Sequence, residues 1–120
     1  MKNDNIIHVK SKKFAIRIIN SFKYLQSEKK EFILSKQLLR SGTSIGALVK
    51  ESEFAQSRKD FLNKLYISLK EANETQYWLE LLFETNYITK TEFDSLSFDC
   101  LELIKLLVSI TKKLKETPNN

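Results

Sequence analysis

The sequence contains almost no residues that interrupt a helix. Its single proline, Pro118, lies near the end of the 120 residues, and its only two glycines are Gly42 and Gly46. Because proline and glycine are the residues least compatible with a helix interior, nearly the whole chain can form long helices. A chain of this length can bury one hydrophobic core but not two. We therefore predict a single all-α domain.

Gly42 and Gly46 lie one helical turn apart, and the apolar pattern continues through them. On both sides of the pair, apolar and small residues recur at the spacing of one helix face: Leu34, Leu38, Ser41, Ile45, Leu48, Ser52 and Ala55. Each glycine costs a helix interior about 1 kcal/mol relative to alanine, so tertiary packing must hold this segment. We expect the missing side chains to let another backbone approach closely. The alternative is that a packed bundle merely tolerates both glycines.

Hydrophobic periodicity divides the chain into four predicted helices. They cover residues 10–26, 31–55, 57–85 and 89–115. Two of the starts carry capping boxes, in which a hydroxyl and a carboxylate three residues apart can bond to free backbone N–H groups. These boxes are Ser57 with Asp60 and Thr89 with Glu92.

The connections between the predicted helices are short, which forces successive helices to run antiparallel. The natural solution is an up-down-up-down four-helix bundle over residues 10–116. We expect residues 1–9 to form a flexible N-terminus and residues 117–120 a disordered tail.

The third and fourth predicted helices carry apolar residues outside their main stripes. In the third helix these include Tyr66, Tyr77 and Trp78. One bundle interior cannot enclose them all, so a second apolar surface implies an oligomer or partner interface, and in a homo-oligomer the partner is another copy of the chain. The alternative is a broad apolar arc buried within a single bundle.

The residues required by common catalytic sites are missing from the predicted helices. The only histidine, His8, lies outside the predicted bundle. Carboxylate-bridged metal sites, arginine–histidine ribonuclease pairs and nucleophilic triads all need a histidine on the scaffold. The single cysteine, Cys100, lies on an apolar stripe and is expected to be buried rather than reactive. We expect a non-enzymatic protein without a metal or cofactor.

The expected cellular location rests on three further features of the sequence. No apolar run approaches the roughly 18 residues needed to cross a bilayer. The first five residues lack the apolar stretch of a signal peptide, and a single cysteine excludes an internal disulfide. We expect a cytoplasmic protein with no membrane association.

Positive charge is concentrated at the start of the chain. Residues 1–30 hold eight lysines and arginines against two acids, whereas the whole chain has a net charge of +5. Localised positive charge is typical of a surface that binds nucleic-acid phosphates, although it also occurs on ordinary solvated faces. The predicted phosphate contacts are Lys12, Lys13, Arg17, Lys23, Lys29, Lys30, Arg40, Arg58 and Lys59. Lys112, Lys113 and Lys115 form a second cluster, and the sequence leaves open whether it lies near the first.

Three segments carry a family resemblance. They are Gln37 to Ala47, which contains Arg-Ser-Gly-Thr-Ser-Ile-Gly; Ser57 to Phe61, Ser-Arg-Lys-Asp-Phe; and Lys70 to Leu79, which begins Lys-Glu-Ala-Asn-Glu-Thr. In this order they resemble the bacterial four-helix-bundle proteins called ribosomal RNA intervening-sequence proteins. The same family includes the accessory variability protein of diversity-generating retroelements. The resemblance covers residues 10–115.

The resemblance implies a small non-enzymatic bundle that assembles into a ring-shaped homopentamer. Its better-understood members bind nucleic acid through basic surfaces and associate with a reverse transcriptase. The matched polar positions are Arg40, Ser41, Ser44, Glu71, Glu74 and Thr75. We expect these residues to form an interhelical network that fixes helix register, with two separate surface clusters as the alternative.

These features together predict a cytoplasmic homo-oligomer that binds RNA, DNA or a hybrid as an accessory of a ribonucleoprotein or reverse-transcriptase complex. The alternative is a structural scaffold that binds a protein partner through Tyr66, Tyr77 or Trp78, with the lysines serving solubility.

Overall fold

The computed structural model describes residues 2–116, with side chains from Ile6 onward. This range contains four α-helices and no β-strand, so the predicted all-α fold is confirmed. The helices are α1 (Lys2–Ser27), α2 (Leu34–Ser52), α3 (Arg58–Glu84) and α4 (Lys90–Glu116). The predicted disordered tail, residues 117–120, lies outside the described residues.

Successive helices run antiparallel, as predicted. Between α1 and α4, Lys10 pairs with Glu102 and Arg17 with Asp99, so residue numbers rise along one helix as they fall along the other. The same order of contacts relates α1 to α2, α2 to α3 and α3 to α4. Each helix therefore packs against two neighbours in an up-down-up-down bundle that measures 53 × 22 × 19 Å.

The core is a continuous column of side chains from all four helices. Ile18, Leu79 and Leu107 are fully buried, and burial of each such side chain contributes roughly 1.5–3 kcal/mol. Cys100 belongs to the same column, as predicted. Its burial, with a smaller effect of the Asp99 charge, raises the pKa of the thiol to about 12.

Helix α1 begins at Lys2, whereas the sequence predicted a flexible segment before a start at Lys10. Ile7 is 1% exposed and forms part of the hydrophobic core. Ser11, one turn further along, is buried to the same degree. A signal for this was present in the sequence, because Ile7 precedes Phe14 by seven residues and Ile18 by eleven and so continues the apolar stripe of α1.

The two glycines lie inside α2, as predicted, and face α1. A Cβ atom at Gly42 would lie 2.8 Å from Cγ1 of Ile18, and one at Gly46 would lie 3.3 Å from the carbonyl oxygen of Ser11. The expected close approach of another backbone is therefore confirmed, and the approaching helix is α1.

Helix α2 begins at Leu34 rather than at residue 31, and Glu31 caps it from outside. Its carboxylate accepts hydrogen bonds from the N–H groups of Ile33, Leu34 and Ser35 at 2.6–3.1 Å. Burial alone would raise the pKa of Glu31, but the N–H groups of Leu34, Ser35 and Ile33 outweigh it, so the pKa lies below the ordinary value of 4.5. Glu31 is therefore an ionised helix cap.

Local signals also set the other helix starts. The hydroxyl of Thr89 accepts from the N–H of Glu92 at 3.1 Å, and the Glu92 carboxylate accepts from the N–H of Thr89 at 2.8 Å, which completes the predicted capping box. At α3, Ser57 accepts from the N–H of Asp60 at 3.0 Å. The carboxylate of Asp60 accepts instead from the N–H of Gln56, at 3.2 Å.

Candidate nucleic-acid interface

Lys12 and Lys13 are exposed on the first half of α1. Neither side chain forms an ion pair or hydrogen bond within residues 6–116. Lys12 lines a groove between α1 and α2 whose lining includes Gly46 and Ala47. Lys13 lies on the side of α1 that faces α4, close to Glu102. The two ammonium groups therefore lie on either side of the exposed surface of α1, where an external anion can reach them.

Lys23, Lys29 and Lys30 lie at the opposite end of the bundle, where α1 ends and the chain turns toward α2. All three are exposed. The ammonium nitrogen of Lys29 lies 6.0 Å from the ring centroid of Tyr24. Lys30 has a φ angle of 55°, in the left-handed region that ends a helix. The predicted phosphate contacts are therefore divided between two regions of a molecule whose long axis measures 53 Å.

The three arginines in the predicted set are engaged within the bundle. Arg17 pairs with Asp99 at 2.7 Å. Arg58 donates to the carbonyl oxygen of Leu114 at 2.7 Å. Arg40 pairs with carboxylates on α3. An arginine whose donors bind protein acceptors has fewer left for phosphate, so the exposed lysines carry most of the accessible positive charge.

The antiparallel order places the end of α4 beside the starts of α1 and α3, as the bond from Arg58 to Leu114 shows. The cluster of Lys112, Lys113 and Lys115 therefore lies at the end of the bundle where α1 begins. Lys59, which is exposed at the start of α3, lies at this end as well. The proximity that the sequence left open is thus resolved: the C-terminal cluster lies at the end where α1 begins and is remote from the turn after α1.

The six matched polar residues lie together between α2 and α3. Arg40 binds Glu71 at 3.2 Å and also pairs with Glu74. The next residue on each helix lies inside the bundle: the hydroxyls of Ser41 and Thr75 are hydrogen-bonded at 2.9 Å, and both residues are completely buried. Ser44 differs from the others because its hydroxyl donates to the Arg40 carbonyl within its own helix. The network thus has a buried hydroxyl pair beside an ion-pair cluster whose arginine is 49% exposed.

The three predicted interface aromatics differ in exposure. Tyr66 is 39% and Tyr77 53% exposed. Trp78 is partly buried, packs against the core, and donates from Nε1 to Glu74 at 3.2 Å. The rings of Tyr77 and Trp78 contact each other with centroids 5.3 Å apart. Two tyrosines are therefore presented to solvent, while the tryptophan supports one of them.

His8 does not lie in a flexible terminus. It is part of α1, its imidazole lies 3.2 Å from the carboxylate of Glu53, and its side chain is 26% exposed. The premise that no histidine lies on a helix was therefore wrong. Within residues 6–116, no group of three His, Cys, Asp or Glu side chains is placed to hold a metal ion.

Sequence reasoning missed two exposed lysines, Lys50 and Lys70. Lys50 lines the same groove as Lys12 and pairs with Glu53 at 3.4 Å. Lys70 lies between Tyr66 and Tyr77 on α3, and the periodic spacing of these residues was the available signal.

None of the helices in residues 2–116 combines the length and apolarity needed to cross a membrane.

Comparison with known proteins agrees with this fold. Residues 3–109 match the family model of the 23S rRNA-intervening sequence protein. A crystal structure of a protein of unknown function from the S23 ribosomal protein family of Bacteroides thetaiotaomicron is 59% identical in sequence. It superposes with a TM-score of 0.91 over 92% of this chain and 98% of that one. No curated protein matches the chain. Because the family model spans most of its length, the chain belongs to the 23S rRNA-intervening sequence protein family.

Proposed function

We propose that this protein binds nucleic acid through phosphate contacts, as an accessory of a ribonucleoprotein or reverse-transcriptase complex. The main support is that six of the lysines predicted to contact phosphate are exposed and form no ion pair within residues 6–116. These lysines are Lys12, Lys13, Lys23, Lys29, Lys30 and Lys59. Such contacts neutralise phosphates and release counterions, so the binding is sensitive to salt and weakly selective for sequence.

The proposed active species is a homo-oligomer, in the form of a pentameric ring. Support comes from large apolar side chains that remain exposed on the neighbouring helices α1 and α4. They include Val9, Ile16 and Ile19 on α1 and Phe98, Leu101 and Val108 on α4, of which Phe98 is 69% exposed. Large contiguous apolar patches are rare on soluble monomers, and closed symmetric assembly would bury a patch formed by these side chains. Assembly would also multiply the positive charge by the number of copies.

The same proposal assigns no catalytic role and a cytoplasmic location. The residues most suited to catalysis have structural roles. The Cys100 thiol is buried and donates to the carbonyl of Ala72 at 3.3 Å, and His8 pairs with Glu53.

The test is fluorescence-anisotropy titration with RNA, duplex DNA and an RNA–DNA hybrid across a salt series, on protein whose mass is fixed by light scattering. Affinity should fall steeply with salt, with a slope near 0.9 per neutralised phosphate on a duplex. The variant Lys12→Glu, Lys13→Glu should bind more weakly and with a smaller slope. Lys12→Arg with Lys13→Arg, which keeps both positive charges, is the matched control and should bind like wild type. Absence of binding at low salt would refute the proposal.

A protein-binding scaffold is the second candidate function. The exposure of Tyr66 and Tyr77 favours it, because tyrosine is enriched in the buried centres of protein interfaces. The charge-reversal variant at Lys12 and Lys13 separates the two functions, since a scaffold would retain its protein partner.

A further inference from the structure

The outer side of α3 carries a repeated Lys-Asn-Tyr pattern. Six successive outward positions, spaced alternately four and three residues apart, form what we call the α3 face: Lys59, Asn63, Tyr66, Lys70, Asn73 and Tyr77. All six side chains are exposed. The face is therefore a continuous stripe of cations, amides and aromatic rings.

The two halves of the α3 face are related by helical geometry. Lys59 and Lys70 are eleven residues apart, and so are Tyr66 and Tyr77. Eleven residues make slightly more than three turns of an α-helix, so the second half lies on the same side of the helix as the first, about 16.5 Å further along its axis. Such a surface suits a ligand that itself repeats along its length.

No carboxylate interrupts the α3 face. Glu71 and Glu74 are turned toward α2, where both pair with Arg40. Asp60 is used at the start of the helix, where it accepts from the N–H of Gln56. Neither Lys59 nor Lys70 forms an ion pair among the residues that the structure describes. The α3 face thus presents two unpaired cations.

At least one ring is held in place before any ligand binds. Tyr77 contacts the ring of Trp78 at a centroid distance of 5.3 Å. Trp78 is in turn fixed by its hydrogen bond to Glu74, which Arg40 also binds. The polar network between α2 and α3 therefore supports the orientation of an exposed ring.

We propose that the α3 face binds single-stranded nucleic acid, with bases stacking on Tyr66 and Tyr77 and phosphates contacting Lys59 and Lys70. A duplex hides the faces of its bases, so this mode requires unpaired nucleotides. The distance between the two halves corresponds to about five nucleotides at roughly 3.4 Å each in a stacked strand, and to fewer in an extended one. The proposal rests on the nucleic-acid role proposed above and deepens it by naming the form that is bound.

The test compares binding of a labelled oligothymidylate and a duplex of equal length by wild-type protein and by two double variants. Tyr66→Leu with Tyr77→Leu removes both rings, whereas Tyr66→Phe with Tyr77→Phe keeps them. The leucine variant should lose about 25-fold or more in affinity for the single strand, from about 1 kcal/mol or more per stacked base. It should keep its duplex affinity and its salt slope, and the phenylalanine variant should match wild type. Lys59→Glu with Lys70→Glu should instead reduce the slope.

Three results would overturn the proposal. Equal single-strand affinity of the leucine variant and wild type would exclude stacking on the α3 face, while the phosphate-binding function would still stand if Lys12→Glu, Lys13→Glu weakened binding. A smaller particle mass of the leucine variant by light scattering would show that the face joins protein subunits. Wild-type protein that binds no nucleic acid would refute both proposals together.

Discussion

Gly42 lies directly against Ile18, whose side chain is completely buried. Gly42→Ala would gain roughly 1 kcal/mol of helix propensity in α2. The new Cβ would lie 2.8 Å and 2.9 Å from two side-chain carbons of Ile18. Overpacking of a core costs about 1–3 kcal/mol, so we expect a net loss of stability of roughly 1 kcal/mol, measured by urea denaturation.

The double variant Gly42→Ala, Ile18→Ala tests the cause of that loss. Ile18→Ala alone should cost about 2–5 kcal/mol because it leaves a cavity. In the Gly42→Ala background the same change also removes the clash, so its cost should be smaller by about 1 kcal/mol or more. Gly46→Ala, where the nearest contact is 3.3 Å, is the milder control. Additive effects of the two substitutions would show that Ile18 does not exclude the Cβ atom.

Glu31 should make the stability of the bundle depend on pH. Its pKa is lowered in the folded state, so its contribution is fully present above the ordinary value of 4.5 and is lost as the pH falls through the folded-state pKa. Glu31→Gln keeps the shape but weakens the hydrogen bonds to the start of α2, and it should cost about 1 kcal/mol at neutral pH. The gap from wild type should narrow as the pH falls below 4.5, where the unfolded state begins to take up the proton first.

Urea denaturation at pH 7 and at pH 3 measures that gap. Glu28→Gln, which changes an exposed glutamate in the same turn, is the matched control and should leave stability nearly unchanged at both pH values. A gap between Glu31→Gln and wild type that stays constant on acidification would mean that the charge of Glu31 does not cap α2.

The parts of the fold that sequence predicted are those with local causes. The capping box at Thr89 and Glu92 depends on residues three positions apart, and both of its bonds are present. The continuation of α2 through Gly42 was readable because its apolar spacing is local as well. Pairing of neighbouring helices followed from short connections, which leave few other arrangements.

The parts that failed depend on partners remote in the sequence. Arg17 was predicted to contact phosphate because its actual partner, Asp99, is 82 residues away and no local pattern indicates the ion pair. The Lys-Asn-Tyr repeat of α3 was readable in principle, but Tyr66 and Tyr77 were assigned to a protein interface, Lys59 to phosphate, and Lys70 to neither.

Cys100 should be unreactive in the folded protein. Its thiol is buried and its pKa is raised to about 12, so almost no thiolate exists at pH 8. We expect a disulfide reagent such as dithionitrobenzoate to modify it only as fast as the bundle opens. The rate should rise sharply on addition of urea near the unfolding midpoint. Rapid modification of native protein would contradict the packing of α4 against α3.

The buried and the exposed halves of the network between α2 and α3 should differ in their energetic weight. Thr75→Val keeps the side-chain shape but removes the hydroxyl that bonds to Ser41, so it leaves a buried polar group without this partner, at a cost of about 1–3 kcal/mol. Arg40→Ala removes two ion pairs, with Glu71 and Glu74, but the arginine is 49% exposed, and exposed pairs contribute only about 0–1 kcal/mol each. Chemical denaturation of both variants shows which one loses more stability, with Thr75→Ser as the control that keeps the hydroxyl. If Arg40→Ala proved the more damaging substitution, the ion pairs rather than the buried hydroxyls would fix the register of these helices.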